Sequence, residues 1–213
     1  MGTKAVIFDM DGLMFDTERL SDALWMELSA QKKLGITQED MALLRGRTRA
    51  AGKESFLKRF GPAFPFDAVC DEMLRRLEAH LAKEVPMRPG LQPLLDALKE
   101  RGILAAVASS THRSLVESNL RVAGVERYFS AVCTGDEVTH SKPAPDIFLL
   151  AAQRLRVQPS ECIVLEDSYN GVRAGQASGC RTIMVPDMDP PTAEMQQLAD
   201  EIVPSLMDVI PLL

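Results

Sequence analysis

Short apolar runs alternate with amphipathic stretches along most of the chain, and this alternation constrains the fold more than any other feature. The runs that are typical of strands are residues 4–8, 103–108, 131–134, 162–165 and 182–185. Between the later runs, helical periodicity predicts helices over residues 113–123, 146–155 and 172–178. Because strands and helices alternate, the sequence predicts an α/β fold, with a Rossmann-like, doubly wound parallel sheet as its core.

The alternation is interrupted once, after the first strand. Residues 17–86 contain no run that is typical of a strand, only helical spacing such as that of Leu20, Leu24 and Leu28. This stretch is too long for a single crossover helix, and Pro86, Pro89 and Gly90 mark the return to the sheet domain. We therefore expect a small α-helical cap domain over residues 17–86, inserted into a core domain made of residues 1–16 and 87–213.

Composition and charge narrow the classes of function. The 213-residue chain is 46% hydrophobic and 25% charged, which is typical of a soluble globular protein. No apolar run approaches the roughly 18 residues needed to span a membrane, and no signal peptide is visible. The net charge of −6, without a Lys/Arg stripe, argues against nucleic-acid binding. Its four scattered cysteines are expected to be reduced thiols. We expect a cytoplasmic monomer that binds neither nucleic acid nor a membrane.

Polar side chains with complementary chemistry follow the predicted strands. In an open parallel sheet, ligands bind beyond the carboxyl ends of the strands, so these side chains are expected to face one crevice. In chain order they are Asp9 and Asp11, the hydroxyl cluster of Ser109, Ser110 and Thr111, then Ser141 and Lys142, and finally Glu166 and Asp167. Two acids at the tip of a buried strand repel each other and need a positive partner. Asp9 and Asp11 alone could also form an exposed turn, but the other three groups argue against that interpretation.

These residue types suit phosphoryl chemistry. Four carboxylates make an oxygen-rich site of the kind that Mg²⁺ prefers, and Lys142 adds a further positive charge. Serine hydroxyls and backbone N–H groups at a helix start can hold a phosphate, and we expect Ser109 and Ser110 also to cap that helix. An aspartate can attack a phosphoryl group to give an aspartyl-phosphate, and a second acid can move the protons.

Four motifs in a fixed order resemble those of the haloacid dehalogenase superfamily, in particular its β-phosphoglucomutase-like subfamily of sugar-phosphate phosphatases and mutases. They are DMDG from Asp9, VAS ending at Ser109, SKPAPDIF from Ser141 and LEDSYNGV from Leu165. The resemblance covers essentially the whole chain, and it also places a helical cap after the first strand. Any one of these motifs alone would be a weak signal, whereas the ordered set is specific.

The resemblance implies a role for the two acids of the first motif. Asp9 would be the nucleophile and a Mg²⁺ ligand. Asp11 would be the general acid and base, and it would give its backbone carbonyl to the metal. Dehalogenases, phosphonatases and P-type ATPases lack an acid at the position of Asp11, so the resemblance favours phosphoesters as substrates.

The remaining motifs are implied to hold the phosphoryl group and the metal. Ser109 and the Ser110 amide would hold the transferring phosphoryl, and Lys142 would bridge it to the nucleophile. Glu166 and Asp167 would complete the metal shell, with Asp167 the direct ligand.

The resemblance also bears on the cap, which would supply specificity and close over the site. Arg49 follows a Gly-Arg-Thr sequence that matches a mutase loop, whose arginine binds the phosphate that is not transferred. As an alternative, Arg49 is an ordinary surface charge. The mutases carry a histidine four residues after the hinge threonine, whereas Ser21 stands four residues after Thr17 here. Because that histidine is absent, the resemblance implies that water is a better phosphoryl acceptor than a sugar.

The sequence thus predicts a Mg²⁺-dependent phosphatase that acts on a small phosphorylated metabolite, such as a sugar phosphate. A phosphomutase of the β-phosphoglucomutase type is the alternative enzyme. A third interpretation, from another class, is a catalytically silent protein that binds a phosphometabolite. The intact set of acids, lysine and serines argues against the third, because a pure binder has no need of proton transfer by Asp11.

Overall fold

A computed structural model describes residues 2–44 and 49–213 of the chain. It divides into two compact units, one formed by Met1–Asp16 and Val85–Leu213 and the other by Thr17–Glu84. The second boundary lies two residues before the one predicted from the sequence. We refer to these as the core unit and the helical unit.

The helical unit contains three helices within its described residues. They are α1 (Thr17–Lys32), α2 (Arg49–Phe60) and α3 (Phe66–Leu81), with a short 3₁₀ segment at Glu39–Leu43. Aromatic rings form its interior, where the Phe56 ring lies 5.6 Å from that of Trp25 and 5.4 Å from that of Phe66. Ring pairs at these separations add to the stabilisation that burial of their apolar surface provides.

The core unit is built on a six-stranded, fully parallel sheet. Its strands are β1 (Ala5–Phe8), β2 (Leu104–Ser109), β3 (Ala131–Thr134), β4 (Cys162–Glu166), β5 (Arg181–Met184) and β6 (Glu201–Ile202). Their spatial order is β3-β2-β1-β4-β5-β6, so β1 lies between β2 and β4. The predicted doubly wound α/β fold is confirmed. The sequence analysis did not predict β6, because two residues are too few to show a pattern.

Five helices of the core unit connect or flank these strands. They are α4 (Leu91–Glu100), α5 (Arg113–Val122), α6 (Asp146–Leu155), α7 (Tyr169–Ser178) and α8 (Ala193–Leu198), with 3₁₀ segments at Glu126–Tyr128, Gly135–Glu137, Pro159–Glu161 and Leu206–Leu212. Strand β1 is fully buried, and Ile7 belongs to the same apolar cluster as Phe148 and Ala151 of α6. The apolar residues of β1 therefore pack this strand into the interior of the core unit.

The two connections to the helical unit leave the core side by side. The Asp16 amide donates to the Pro86 carbonyl at 2.8 Å, and the Arg88 amide donates to the Met14 carbonyl at 2.8 Å. Phe15 and Met87 form an antiparallel bridge between these bonds. In the part of the chain that the structure describes, no helix is both long and apolar enough to cross a membrane.

Candidate active site

Side chains from three neighbouring strands converge at the carboxyl edge of the sheet. Asp9 directly follows β1, Ser109 ends β2 and Glu166 ends β4. The registers pair Phe8 with a residue near the end of each neighbour, and the Asp9 amide donates to the Leu165 carbonyl at 3.0 Å. All three polar residues are buried. The topology of the sheet thus brings together groups that are far apart in the sequence.

Lys142 reaches this cluster from the loop between β3 and α6. Its ammonium group lies 2.5 Å from Asp9 Oδ1 and 2.7 Å from Glu166 Oε1, and it donates to the Ala108 carbonyl at 3.1 Å. The side chain is only 6% exposed and its ammonium lies 4.8 Å from the centre of the Phe148 ring. Burial works to lower the pKa of Lys142, but the charges of Asp9 and Glu166 outweigh it and raise the pKa overall. Lys142 is therefore a permanent positive charge at this edge.

Glu166 is fixed by the start of the loop that follows it. Its Oε2 accepts hydrogen bonds of 3.0 Å from the amides of Asp167 and Ser168 and from the Ser168 hydroxyl. The same hydroxyl accepts a bond from the Gly171 amide at 3.0 Å and so caps α7. Because the other oxygen of Glu166 faces Lys142, the carboxylate has one fixed orientation.

Three carboxylates form a cluster that could hold a metal ion. One oxygen of each of Asp9, Glu166 and Asp167 lies within 4.8 Å of the others. Asp167 Oδ1 is buried without a hydrogen-bond partner in the described residues. A β-carbon at Gly12 would lie 2.2 Å from Asp167 Oδ2, so the glycine leaves space for this carboxylate. A buried acceptor left without a donor is costly, and a hard cation would satisfy it.

The pKa values of the clustered carboxyl groups reflect how closely these groups are packed and how deeply they are buried. Burial, with the charges of Glu166 and Asp11, raises the pKa of Asp9 to about 8, although Lys142 acts in the opposite direction. Burial and the neighbouring charges of Glu166 and Asp9 hold the pKa of Asp167 well above its ordinary value. Both shifts follow from the burial of several carboxyl groups beside a single ammonium group. The donors, all hard oxygens, fit Mg²⁺.

Asp11 has a different environment from Asp9. The Thr111 hydroxyl donates to Asp11 Oδ2 at 2.9 Å, and the Ser109 hydroxyl lies 3.5 Å from the same oxygen. The Thr111 amide in turn donates to Ser109 Oγ at 3.1 Å. The sequence indicated Thr111 as part of the hydroxyl cluster that begins with Ser109 at the end of β2, but it did not assign Thr111 a role. Asp11 is thus held by hydroxyls, whereas Asp9 is held by an ammonium.

The backbone at Ser110 is closely packed against the loop after β3. A β-carbon at Gly135 would lie 2.3 Å from the Ser110 carbonyl oxygen, and the Gly135 amide lies 3.3 Å from the Thr111 carbonyl. The expectation that Ser109 and Ser110 cap the next helix is wrong. Helix α5 begins at Arg113, with His112 at the N-cap position, because three residues (110–112) separate the end of β2 from the helix.

The residues of the helical unit have partners of their own. The Arg49 guanidinium lies 2.7 Å from Asp71 Oδ1 and 3.4 Å from Asp67 Oδ1. The Ser21 hydroxyl lies 3.7 Å from the sulfur of Met73. The Gly-Arg-Thr sequence at 46–48 lies outside the described residues. Phosphate binding by Arg49 stays a prediction.

Comparison with known proteins gives a consistent result. The sequence profile described as haloacid dehalogenase-like hydrolase matches residues 3–179. The bifunctional riboflavin kinase/FMN phosphatase of Arabidopsis thaliana is 32% identical over 209 residues, which are 97% of this chain. The chain spans about half of that relative's length (54%).

A relative of similar length and a solved structure extend the comparison. Fructose-1-phosphate phosphatase YqaB of Escherichia coli (strain K12) is 33% identical over 184 residues, 84% of this chain and 95% of that protein. The crystal structure of a candidate β-phosphoglucomutase from Thermotoga maritima superposes with a TM-score of 0.82 at 25% identity. That alignment covers 99% of this chain and 98% of the other.

Proposed function

The chain belongs to the haloacid dehalogenase-like hydrolase family, and we propose that it is a Mg²⁺-dependent phosphatase of small sugar-phosphate-type monoesters. The observation that carries the proposal is the pair of acids at the tip of β1. Asp9 lies against the Lys142 ammonium, and Asp11 accepts a hydrogen bond from Thr111. Two carboxylates so close together in such different surroundings suit one nucleophile and one proton carrier.

In the first half of the reaction, an Asp9 oxygen attacks the phosphorus atom of the substrate. The phosphorus–oxygen bond to the sugar breaks, and Asp11 gives its proton to the departing alkoxide. The product is an aspartyl-phosphate on Asp9 and a free alcohol. Lys142 supports the attack because it keeps positive charge beside the nucleophile.

In the second half, a water molecule attacks the same phosphorus atom. Asp11, now ionised, takes a proton from that water, and the bond between phosphorus and Asp9 breaks. Inorganic phosphate leaves and both acids return to their starting states. The Thr111 hydroxyl holds Asp11 in one orientation through both steps.

Mg²⁺ would be held by Asp9, Glu166 and Asp167, the three carboxylates whose oxygens lie within 4.8 Å of one another. When bound there, the ion supplies positive charge that offsets the crowded acids and the phosphate oxygens. The unpartnered Asp167 Oδ1 and the raised pKa of Asp9 both support this assignment. Ser109 and the Ser110 amide would hold the phosphoryl oxygens.

Two observations favour water over a sugar as the phosphoryl acceptor. Ser21 occupies the position at which the mutases carry a histidine. Arg49, the proposed ligand of a second phosphate, is paired with Asp67 and Asp71, so phosphate would have to compete with two carboxylates. The relative named fructose-1-phosphate phosphatase also supports a monophosphorylated sugar as the substrate class.

The experiment that tests this proposal measures phosphate release from a panel of sugar and polyol monophosphates. Each compound is assayed with Mg²⁺ and with excess EDTA, using the wild-type chain and the Asp9→Asn variant. We expect metal-dependent release that is absent in Asp9→Asn, and unchanged release in the exposed control Asp208→Asn. Near wild-type turnover by a folded Asp9→Asn variant would refute the assignment of the nucleophile.

The same preparation separates the two alternatives. In the presence of catalytic bisphosphate, a mutase converts β-glucose 1-phosphate into glucose 6-phosphate faster than it releases inorganic phosphate. A silent binding protein binds a phosphorylated compound in EDTA and releases nothing with any metal. Either result would replace hydrolysis as the proposed function.

A further inference from the structure

A buried ion pair between Arg88 and Asp187 lies outside the carboxylate cluster and its lysine. Arg88 Nη1 donates to Asp187 Oδ1 at 2.5 Å, and the two side chains are 16% and 2% exposed. Arg88 belongs to the segment by which the chain returns to the core unit, and Asp187 follows β5. Pairs this well buried require a partner for each charge, because a lone charge there is strongly destabilising.

Asp187 lies beyond the same strand ends as the carboxylate cluster. Strands β4 and β5 are neighbours, with Glu166 opposite Met184, and the Val185 amide donates to the Glu166 carbonyl at 2.7 Å. Asp167 directly follows β4, and Asp187 lies three residues past the end of β5, two residues after Val185.

Arg88 is connected to the other side of the cluster through the backbone. Its amide donates to the Met14 carbonyl at 2.8 Å, and the Met14 amide donates to the Met10 carbonyl at 2.9 Å. Met10 separates the two acids of the first motif. Arg88 thus connects the segment after β5, through its side chain, to the loop after β1, through its backbone.

We propose that Arg88 and Asp187 are positioning residues that set the Mg²⁺ affinity of the Asp9–Glu166–Asp167 cluster through their opposed charges. Asp187 adds negative potential beside Asp167, and Arg88 offsets it. Neither residue ligates the ion. The inference rests on the proposed metal site and deepens it, because it identifies which residues outside the ligand set regulate its occupancy.

Opposed charges predict opposite effects from the two single substitutions. Asp187→Asn removes a negative charge and leaves the guanidinium unopposed, so Mg²⁺ binding should weaken, roughly 10- to 100-fold as for other residues that support metal ligands. Arg88→Gln removes the positive charge that offsets Asp187, so it should tighten Mg²⁺ binding several-fold. The double variant Arg88→Gln/Asp187→Asn should return close to the wild-type affinity, and Arg88→Lys should retain it.

The test is calorimetric titration of Mg²⁺ into the metal-free full chain, without substrate, at pH 8 and low salt. Arg173→Gln is the matched control, because Arg173 forms a 2.6 Å ion pair with Glu194 at the surface. Thermal unfolding of each variant checks that it is folded. If Asp187→Asn does not fold, Arg88→Gln, Arg88→Lys and the double variant still give the sign of the effect.

Opposite shifts in Mg²⁺ dissociation constant, cancelling in the double variant, are the expected result. If the pair only held the two segments together, both single variants would bind Mg²⁺ more weakly, or both would melt at a lower temperature with unchanged Mg²⁺ affinity. Either outcome would overturn the proposal. A wild-type chain that does not bind Mg²⁺ would overturn the proposed metal site as well. Wild-type binding with unshifted variants would overturn this inference alone.

Discussion

Gly171 lies directly against Glu166. A β-carbon added at position 171 would be 1.7 Å from Glu166 Oε1, much closer than two unbonded atoms can approach. The glycine in the first turn of α7 is therefore required by the carboxylate at the end of β4, and not by the backbone conformation of the helix.

Gly171→Ala should accordingly displace Glu166 and impair both stability and activity. In the interior of a helix, replacing glycine with alanine ordinarily stabilises a protein by about 1 kcal/mol. A net loss of stability would therefore be due to the clash with Glu166. We expect a lower urea midpoint and weaker Mg²⁺ binding. Gln176→Ala, at an exposed position of the same helix, serves as the control. A stabilised, fully active Gly171→Ala variant would contradict the described geometry.

Lys142→Met should destabilise the metal-free protein by about 3–5 kcal/mol, because it leaves Asp9 and Glu166 buried together without their cation. Phosphate release should also fall, roughly 10²- to 10³-fold, since positive charge at the reacting group is lost. Urea unfolding in EDTA and a phosphate-release assay measure the two effects. The exposed Lys83→Met variant should show neither.

The metal-free protein should lose stability as the pH rises. The pKa of Asp9 is about 8 in the folded chain against an ordinary 3.8, so folding favours the protonated form. Its contribution is fully present below pH 4 and is lost as the pH rises through 8. Melting temperatures in EDTA at pH 5.5 and 8.5 test this. We expect Mg²⁺ to restore more stability at pH 8.5, and Asp9→Asn to flatten the dependence.

Thr111→Val should slow turnover about tenfold, the effect of losing one hydrogen bond to a charged group. The reason is positional, because Asp11 keeps its carboxylate but loses the hydroxyl that orients it. Steady-state kinetics should show the loss in kcat with little change in KM. Thr111→Ser, which keeps the hydroxyl, should retain activity. Equal losses in both variants would indicate packing of the methyl group instead.

Acid stability should depend on Glu137. Hydrogen bonds from Arg154, and then from Arg113 and the Thr134 amide, lower the pKa of Glu137 to about 2 despite partial burial. Its stabilisation is present above pH 4.5 and is lost as the pH falls toward 2. Glu137→Gln should remove about 1 kcal/mol near neutral pH, allowing for solvent screening. Urea titrations at pH 3 and 7 measure this, with the exposed Glu100→Gln as the control. An equal loss at both pH values would contradict the assignment.

Much of the sheet could be predicted because buried parallel strands leave continuous apolar runs in the sequence. The predicted run at residues 131–134 coincides with β3, and the other four predicted strands begin and end within one residue of their predicted positions. Convergence of Asp9, Ser109 and Glu166 followed from one topological rule, that parallel strands end at the same edge.

What the sequence could not show are contacts that have no local pattern. Thr111 contacts Asp11 from 100 positions away, and Arg88 contacts Asp187 from 99 positions away. A single threonine or arginine in a loop does not reveal its partner. The clearance between Gly171 and Glu166 is likewise a property of packed side chains, which no spacing in the sequence encodes.

The helical unit leaves and rejoins the core at two residues joined by one hydrogen bond, from the Asp16 amide to the Pro86 carbonyl. A different segment could replace the helical unit if the Asp16–Pro86 hydrogen bond still joined its two ends. The exchange would not alter β1, β2 or the acids that follow β1. Such an exchange leaves the nucleophile on a strand that is complete before the insertion begins. One contiguous stretch of chain can therefore be exchanged while Asp9 and Asp11 keep their places after β1.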